Sequence, residues 1–507
     1  METSISVLCL VLVALMFVSP VPISGVPSFC DSTPYPETCK SAYLSNTEYT
    51  KFPISSKSDF LKWSLKHTLD QSYKSWKNAY SLGPKCRNPR EKVAWNDCVQ
   101  LYGLILEKLN KTVDPTSGCT SEDRQTWLSS TLTYIETCKD SFHDIGITDN
   151  VMPLVHDQEL ANLICNNLAV NNGFYPAPAY TNGFPNWISR RDRKLLQSAS
   201  PTANVVVAQD GSGNFKTVSA AVASAPGSGR YTIHVKAGTY SENVQVSKKN
   251  IMLIGDGIGK TIITGSKSVG GGSTTFNSAT VGITGDGFIA RGITFRNTAG
   301  AAKHQAVALR SGSDLSVFYQ CSFEGFQDTL YVLSNRQFYR ECDISGTVDF
   351  IFGNAAVVIQ NCNLYAHNTP THTNTLTAQG RTDPNQNTGI SIHQCTVAAA
   401  SDYQSSVKTY LGRPWKEYSR TVFMKTVLGS LIQPAGWYPW SGDFALKTLY
   451  YGEFANTGPG SSTANRVKWG GVHSNMSPAD ASKFTVGGLL GGGSWISASG
   501  APFIAGL

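Results

Sequence analysis

From Val205 onward, short runs of β-branched and aromatic residues alternate with Gly, Asn, Asp and Ser, as in YTIHVKAGTY, IMLIGDG, GITFRNT and TVFMKT. Between Val317 and Leu364 this pattern becomes periodic. Phe318-x-x-Cys321-x-Phe323, Tyr339-x-x-Cys342-x-Ile344 and Ile359-x-x-Cys362-x-Leu364 set their cysteines 21 and then 20 residues apart, and a looser copy follows at Ile392-x-x-Cys395-x-Val397. A period near twenty built on β-rich runs predicts a solenoid whose repeats are stacked coils. The regular spacing and the scarcity of helical periods point to an all-β right-handed parallel β-helix with a narrow apolar interior. Stacked strands lie ~4.8 Å apart, so residues one period apart become neighbours.

Ahead of this region the period is helical. Leu61, Leu65, Leu69, Tyr73, Trp76 and Tyr80 recur at intervals of three or four, as do Ala94, Cys98, Leu101, Ile105 and Leu109. Leu128, Leu132 and Ile135 form a third stripe, and Leu160, Ile164 and Leu168 a fourth. Four such stripes predict an all-α antiparallel four-helix bundle whose stripes are its core. Cys30 and Cys39 bracket a loop that a disulfide could staple, and Cys98 and Cys138 sit where a bridge could tie the second and third stripes. Glycine separates the two parts: residues 1–197 contain 7 and residues 198–507 contain 39.

Residues 171–197 read as a linker, rich in Pro, Gly and Asn and then basic. Its run Arg190, Arg191, Arg193 and Lys194 is either a solvated connection or a processing-protease site, and its position in a secreted chain favours processing. The apolar segment Val7–Val18, followed by Pro20, Pro22, Ser24 and Gly25, reads as a signal peptide over residues 1–25, although no Lys or Arg precedes it. A membrane anchor is the rival reading, against which the run is short. The expected division is therefore 1–25 signal, 26–170 bundle, 171–197 linker and 198–507 β-helix.

Twelve cysteines suit an oxidising compartment; one leaves with the signal, so at least one of the remaining eleven is unpaired. Asn110-Lys111-Thr112 and Asn475-Met476-Ser477 are candidate glycosylation sites, of a kind that also arises by chance. Residues 1–197 carry 19 basic and 19 acidic side chains, residues 198–507 carry 23 and 16, so the net +7 belongs to the β-helix. A basic secreted domain fits an anionic partner such as an acidic polysaccharide. Nucleic acid is not expected, because no basic cluster or nucleic-acid motif accompanies the charge.

Asp328 and Asp349 lie 21 residues apart, the interval of Cys321 and Cys342. On adjacent coils they would face the same way, and like charges so close raise one pKa, giving an acid beside a carboxylate; the alternative is two surface acids that share a period. Gln305 lies 22 residues before Gln327, and stacked amides there would either donate to an oxyanion or form a surface ladder. In Leu411-Gly412-Arg413-Pro414-Trp415 the proline holds Arg413 extended. Its guanidinium could fix a carboxylate and Trp415 could stack on sugar, or the motif is a turn with a buried Trp.

Together these residues resemble the pectin methylesterases of plants, from about Val205 to the C-terminus. The landmarks are Gly238-Thr-Tyr240-Ser-Glu242, Lys303 to Arg310 (KHQAVALR), Gly325-Phe-Gln327-Asp328-Thr-Leu330, Gly346-Thr-Val-Asp349-Phe-Ile-Phe352-Gly353-Asn354-Ala355 and Leu411 to Trp415. The resemblance implies a right-handed parallel β-helix that hydrolyses methyl esters of homogalacturonan without metal or organic cofactor. It implies Asp349 as nucleophile, Asp328 as acid and then base, Gln305 and Gln327 as oxyanion hole, and Arg413 orienting Asp349. Trp415, Phe352 and Thr275 would contact sugar, and Cys342 would pair with Cys362.

The first part resembles the pectin methylesterase inhibitor domain through Cys30…Tyr35-Pro36…Cys39, Asp97-Cys98…Leu101-Tyr102 and Trp127-Leu128…Thr137-Cys138. Cys86 and Cys119 are further cysteines, open to an additional bridge. The layout is similar to the longer class of plant pectinesterase precursors, with Arg193-Lys194-Leu195-Leu196 as the processing motif. It implies a monomer of the cell wall, outside the membrane, with inhibitor proteins and a processing protease as partners. A polygalacturonase would show an Asp-Asp pair and Gly-His-Gly, which the sequence lacks, and a pectate lyase would cluster acids for calcium where Gln327 flanks Asp328. A non-catalytic polysaccharide-binding β-helix is the rival from another class.

Overall fold

The computed structural model describes residues 28–45, 54–147, 158–172 and 202–507. The signal segment and the basic linker run lie outside the described residues. Beyond Val205 the chain winds into coils whose strands form three parallel sheets of 11, 7 and 8 strands. Successive strands of each sheet come from successive coils, the arrangement of a parallel β-helix.

The sequence period is the strand register. Phe318 pairs with Tyr339, Tyr339 with Ile359 and Ile359 with Ile392 on the largest sheet. Phe323, Ile344, Leu364 and Val397 form the matching ladder on the eight-stranded sheet. All are buried, so each coil repeats because each must fill the same slice of interior. The corner before every cysteine rung is left-handed, at Gln320, Glu341, Asn361 and Gln394. The core cluster of this domain draws only on residues after Val205, so the β-helix encloses its own apolar interior.

Cys321, Cys342, Cys362 and Cys395 are free thiols, which corrects the expected Cys342–Cys362 bridge. The sulfurs of Cys342, Cys362 and Cys395 each accept from the backbone of the preceding coil. The N–H of Cys321 donates to Cys342 Sγ at 3.5 Å, that of Cys342 to Cys362 Sγ at 3.3 Å, and that of Cys362 to Cys395 Sγ at 3.4 Å.

The helical part contains α1 (Pro36–Leu44), α2 (Lys57–Ser81), α3 (Pro89–Val113), α4 (Ser121–Asp144) and α5 (Gln158–Asn172). The four long helices are the four stripes; α1 is an addition too short to show one. Ser56 caps α2, Asn88 caps α3 ahead of Pro89, and Thr120 with Asp123 makes a capping box on α4. Cys30–Cys39 and Cys98–Cys138 are bridged as expected. Cys86 precedes the 25-residue α3 and Cys119 follows it, a separation of about 37 Å at 1.5 Å per residue, too far for a bond. Asn110 and Asn475 are both exposed.

The bundle packs on the β-helix through a core that is continuous across the junction. Its cluster includes Phe276, Ala279, Val307, Tyr331, Leu333, Phe352 and Ala378 beside the helical residues. Ion pairs frame it: Lys108 with Asp286 at 2.8 Å, Asp123 with Arg336 at 2.8 Å and Asp140 with Lys416 at 2.8 Å.

Candidate active site

The seven-stranded sheet carries the candidate chemistry. Leu330 pairs with Ile351, so Asp328 and Asp349, each two residues earlier, occupy the same place on adjacent coils. Both are corner residues in the left-handed region, with φ of 61° and 53°. That conformation suits Asp and Asn better than most L-residues, so the fold favours an acid there on backbone grounds as well as chemical ones. Both are buried, at 7% and 5% exposure.

Arg413 holds Asp349 from the loop after strand Lys408–Gly412. Its Nε donates to Oδ1 at 2.9 Å and to Oδ2 at 3.1 Å, and its Nη2 donates to Oδ2 at 2.7 Å. Against the cost of burial, this contact raises the pKa of Arg413, a cation committed to its carboxylate. Asp328 has no such partner. Burial, then the charges of Asp349 and Asp144, push its pKa well above the carboxylate range, and Arg413 only partly offsets them. The pair is thus one carboxylate salt-bridged to Arg413 beside one acid whose charged form is disfavoured, as like charges held close require.

Gln305, Gln327, Asp328, Asp349, Arg413, Thr275, Phe352 and Trp415 all line one cavity of about 250 Å³. The two glutamines are one residue out of strict strand register, since Leu309 pairs with Leu330, but adjacent coils still bring them together. Phe352 stacks on Tyr331 with centroids 4.2 Å apart, and Trp415 stands edge-on to Phe352 at 5.9 Å. Arg413 lies 4.3 Å from the ring centre of Trp440.

Sequence reasoning did not single out Tyr331 or Trp440, which line the same cavity. Tyr331 lies 21 residues before Phe352, so the period could have found it; Trp440 follows an irregular loop and carried no such signal. The larger omission is the other wall. Thr137, Asp140, Ser141, His143 and Asp144 of α4 also line the cavity. Asp144 Oδ2 accepts the backbone N–H of Thr275 at 2.7 Å, and Asp140 takes Lys416, next to Trp415. The bundle therefore sits across the mouth of the acid pair.

The pectinesterase family model matches residues 204–493, and the plant invertase/pectin methylesterase inhibitor model matches residues 24–170. Pectinesterase 2 of Citrus sinensis is 61% identical over 487 residues, covering 95% of each chain. Pectinesterase 1 of the same plant is 46% identical over 515 residues, covering 95% of this chain and 88% of its own. Among solved structures, the pectin methylesterase from carrot aligns at 60% identity with a TM-score of 0.60, covering 61% of this chain and 100% of its own.

Proposed function

The chain belongs to the pectinesterase family and hydrolyses methyl esters of pectin; from that premise we propose that Asp349 is its nucleophile and Asp328 its acid and then its base. The observation that carries the assignment is the asymmetry of the pair. Asp349 is gripped by Arg413 while Asp328, one coil away, stays protonated.

Asp349 attacks the ester carbonyl of a methylesterified homogalacturonan unit, and the side-chain amides of Gln305 and Gln327 donate to the developing oxyanion. Asp328 gives its proton to the departing methoxide, which leaves as methanol, and a mixed anhydride remains on Asp349. The Asp328 carboxylate then takes a proton from water, whose oxygen attacks the substrate acyl carbon. Collapse releases the free galacturonate and restores both acids. Phe352, Trp415 and Thr275 form the sugar-contacting wall, and every step uses side chains of this chain alone.

The test of the acid role is Asp328→Asn in residues 198–507, read as methanol release from highly methylated pectin. The loss is expected on the order of 10²- to 10³-fold. In the first, acylating turnover, read as the burst of released alcohol, the loss should shrink for an ester whose alcohol, such as trifluoroethanol, leaves without a proton; an equal loss of both bursts would remove Asp328 from the acid role. Gln327→Leu keeps the bulk but lacks the donor and should lower kcat by about 10²-fold with little change in KM. A rise in KM alone would make the amide a binding group only.

The substrate class, the apolar N-terminal segment and the bridged cysteines support secretion to the cell wall as a monomer, with residues 1–25 removed. No helix among the described residues is long and apolar enough to cross a membrane. We place the functional divisions at 26–170, 171–197 and 198–507. In this reading the first covers the cleft of the last, a protease cuts the connection near Arg193-Lys194, and separate inhibitor proteins would take the surface once the bundle has left it.

A further inference from the structure

The ladder that holds the two aspartates has a third rung. Leu330 pairs with Ile351 and Ile351 with Thr377. The residues two places before each are Asp328, Asp349 and Thr375, stacked at one position on three successive coils. The step from Asp349 to Thr375 is 26 residues instead of 21, because the turn ahead of strand Thr373–Gln379 is longer. That insertion hides the third rung from a search by period.

Thr375 is 2% exposed, and its only polar atom beyond the backbone is committed to Asp349 twice over. Its hydroxyl donates to Asp349 Oδ1 at 2.5 Å, while its oxygen accepts the backbone N–H of Asp349 at 3.1 Å. With the oxygen engaged by that N–H, the hydroxyl proton is aimed at the carboxylate. Backbone N–H, threonine hydroxyl and carboxylate thus close a small ring around a residue in the left-handed region. Arg413 grips both oxygens of the same carboxylate. Arg413 alone supplies charge, but a guanidinium can follow a carboxylate that rotates; the ring ties the carboxylate to its own main chain.

We propose that Thr375 is a positioning residue for the reaction: it fixes the rotamer of Asp349 so that the nucleophilic oxygen faces the ester carbon, and it supplies a donor that persists when Asp349 is acylated. The proposal rests on the reading of Asp349 as nucleophile. Misplacing a reacting group by about 1 Å can cost on the order of 10²-fold in rate, and Thr375 itself does not line the sugar-binding cavity.

The experiment is steady-state methanol release by residues 198–507, which enclose their own core, carrying Thr375→Val, Thr375→Ser or Asp349→Asn. Thr375→Val should lower kcat by about 10- to 100-fold with KM within about two-fold. Thr375→Ser, which keeps donor and acceptor, should return to within about three-fold of the parent. If Thr375→Val does not fold, Thr375→Ala is read in the same way.

Full kcat in Thr375→Val, a Thr375→Ser variant as slow as Thr375→Val, or a change confined to KM would each overturn the proposal. Turnover retained by Asp349→Asn would instead bring down the nucleophile assignment beneath it, so the two failures are distinguishable.

Discussion

Asp349→Asn in residues 198–507 should release methanol from highly methylated pectin on the order of 10⁴-fold more slowly than the parent, or worse. Asparagine is the informative replacement because position 349 is left-handed, with φ of 53°, and Asn tolerates that region almost as well as Asp. An Asp349→Ala variant would add backbone strain to the chemical loss. The amide preserves shape and can still meet Thr375, but it carries no charge for Arg413, which keeps three hydrogen bonds to the native carboxylate. An arginine that is 22% exposed at its side chain loses its counter-ion without being sealed from water, so the fold should survive at a cost of a few kcal/mol at most. Loss of turnover with pectin still bound is the expected pattern. An Asp349→Asn enzyme with more than about 1% of parental kcat would mean that the nucleophile is another group.

The β-helix was legible because its physics is repetitive. Every coil fills the same apolar slice, so Phe318, Tyr339, Ile359 and Ile392 had to recur, and their recurrence is the register itself. The acid pair was legible for the same reason: a shared interval became a shared place on adjacent coils. What interrupts the period was not legible. Thr375 stands on the aspartate ladder but follows a longer turn, and Trp440 comes from an irregular loop. The Cys342–Cys362 bridge failed for a subtler reason, since register brings two cysteines together but does not set which way the sulfurs turn.

Where the bundle docks, and through which residues, lay beyond sequence reasoning. Its stripes account for the helical core, but α4 meets the β-helix through a second, largely polar face, Asp123, Trp127, Thr137, Asp140 and Asp144, which reads in sequence as an ordinary solvated surface. Their partners, such as Asp314, Tyr331 and Lys416, lie nearly two hundred or more residues along the chain. Complementarity between two distant surfaces leaves no local pattern in either.

That contact leads to the second large effect: with the bundle docked, methanol release should fall more than about 10³-fold below that of residues 198–507. Pectin reaches Asp349 only if α4 leaves the cavity it lines, and an open fraction below 10⁻³ needs only about 4 kcal/mol in favour of the closed form. A shared apolar core, with partly buried ion pairs at Lys108, Asp123 and Asp140 around it, exceeds that readily. These bonds are non-covalent, so cutting the linker leaves the bundle seated, and the pH decides when it departs.

Burial raises Asp97 to about 7, against Thr274, Arg310 and Ser141, with Asp144 adding to the rise. Burial raises Asp144 to about 6 despite its bonds from Thr275, with Asp140 adding and His143 opposing. Asp140 is likewise raised by burial, partly offset by Lys416. Both Asp97 and Asp144 start near 3.8 when water reaches them. A carboxyl raised in the docked state makes that state hold more protons, so the contribution of these two acids to docking is full below about pH 4 and fades as pH climbs through 6 and 7. The Lys108–Asp286 pair, in which, against burial, the lysine holds Asp286 below its ordinary value, is lost only in acid. The cleaved, still-associated enzyme should therefore gain activity between about pH 5 and 8 more steeply than residues 198–507 do, and bundle and β-helix should separate on a sizing column over the same range. Asp97→Asn, neutral at every pH, should hold the complex together at higher pH; a complex that separates on the same curve with Asp97→Asn as without it would show that this buried acid does not govern release.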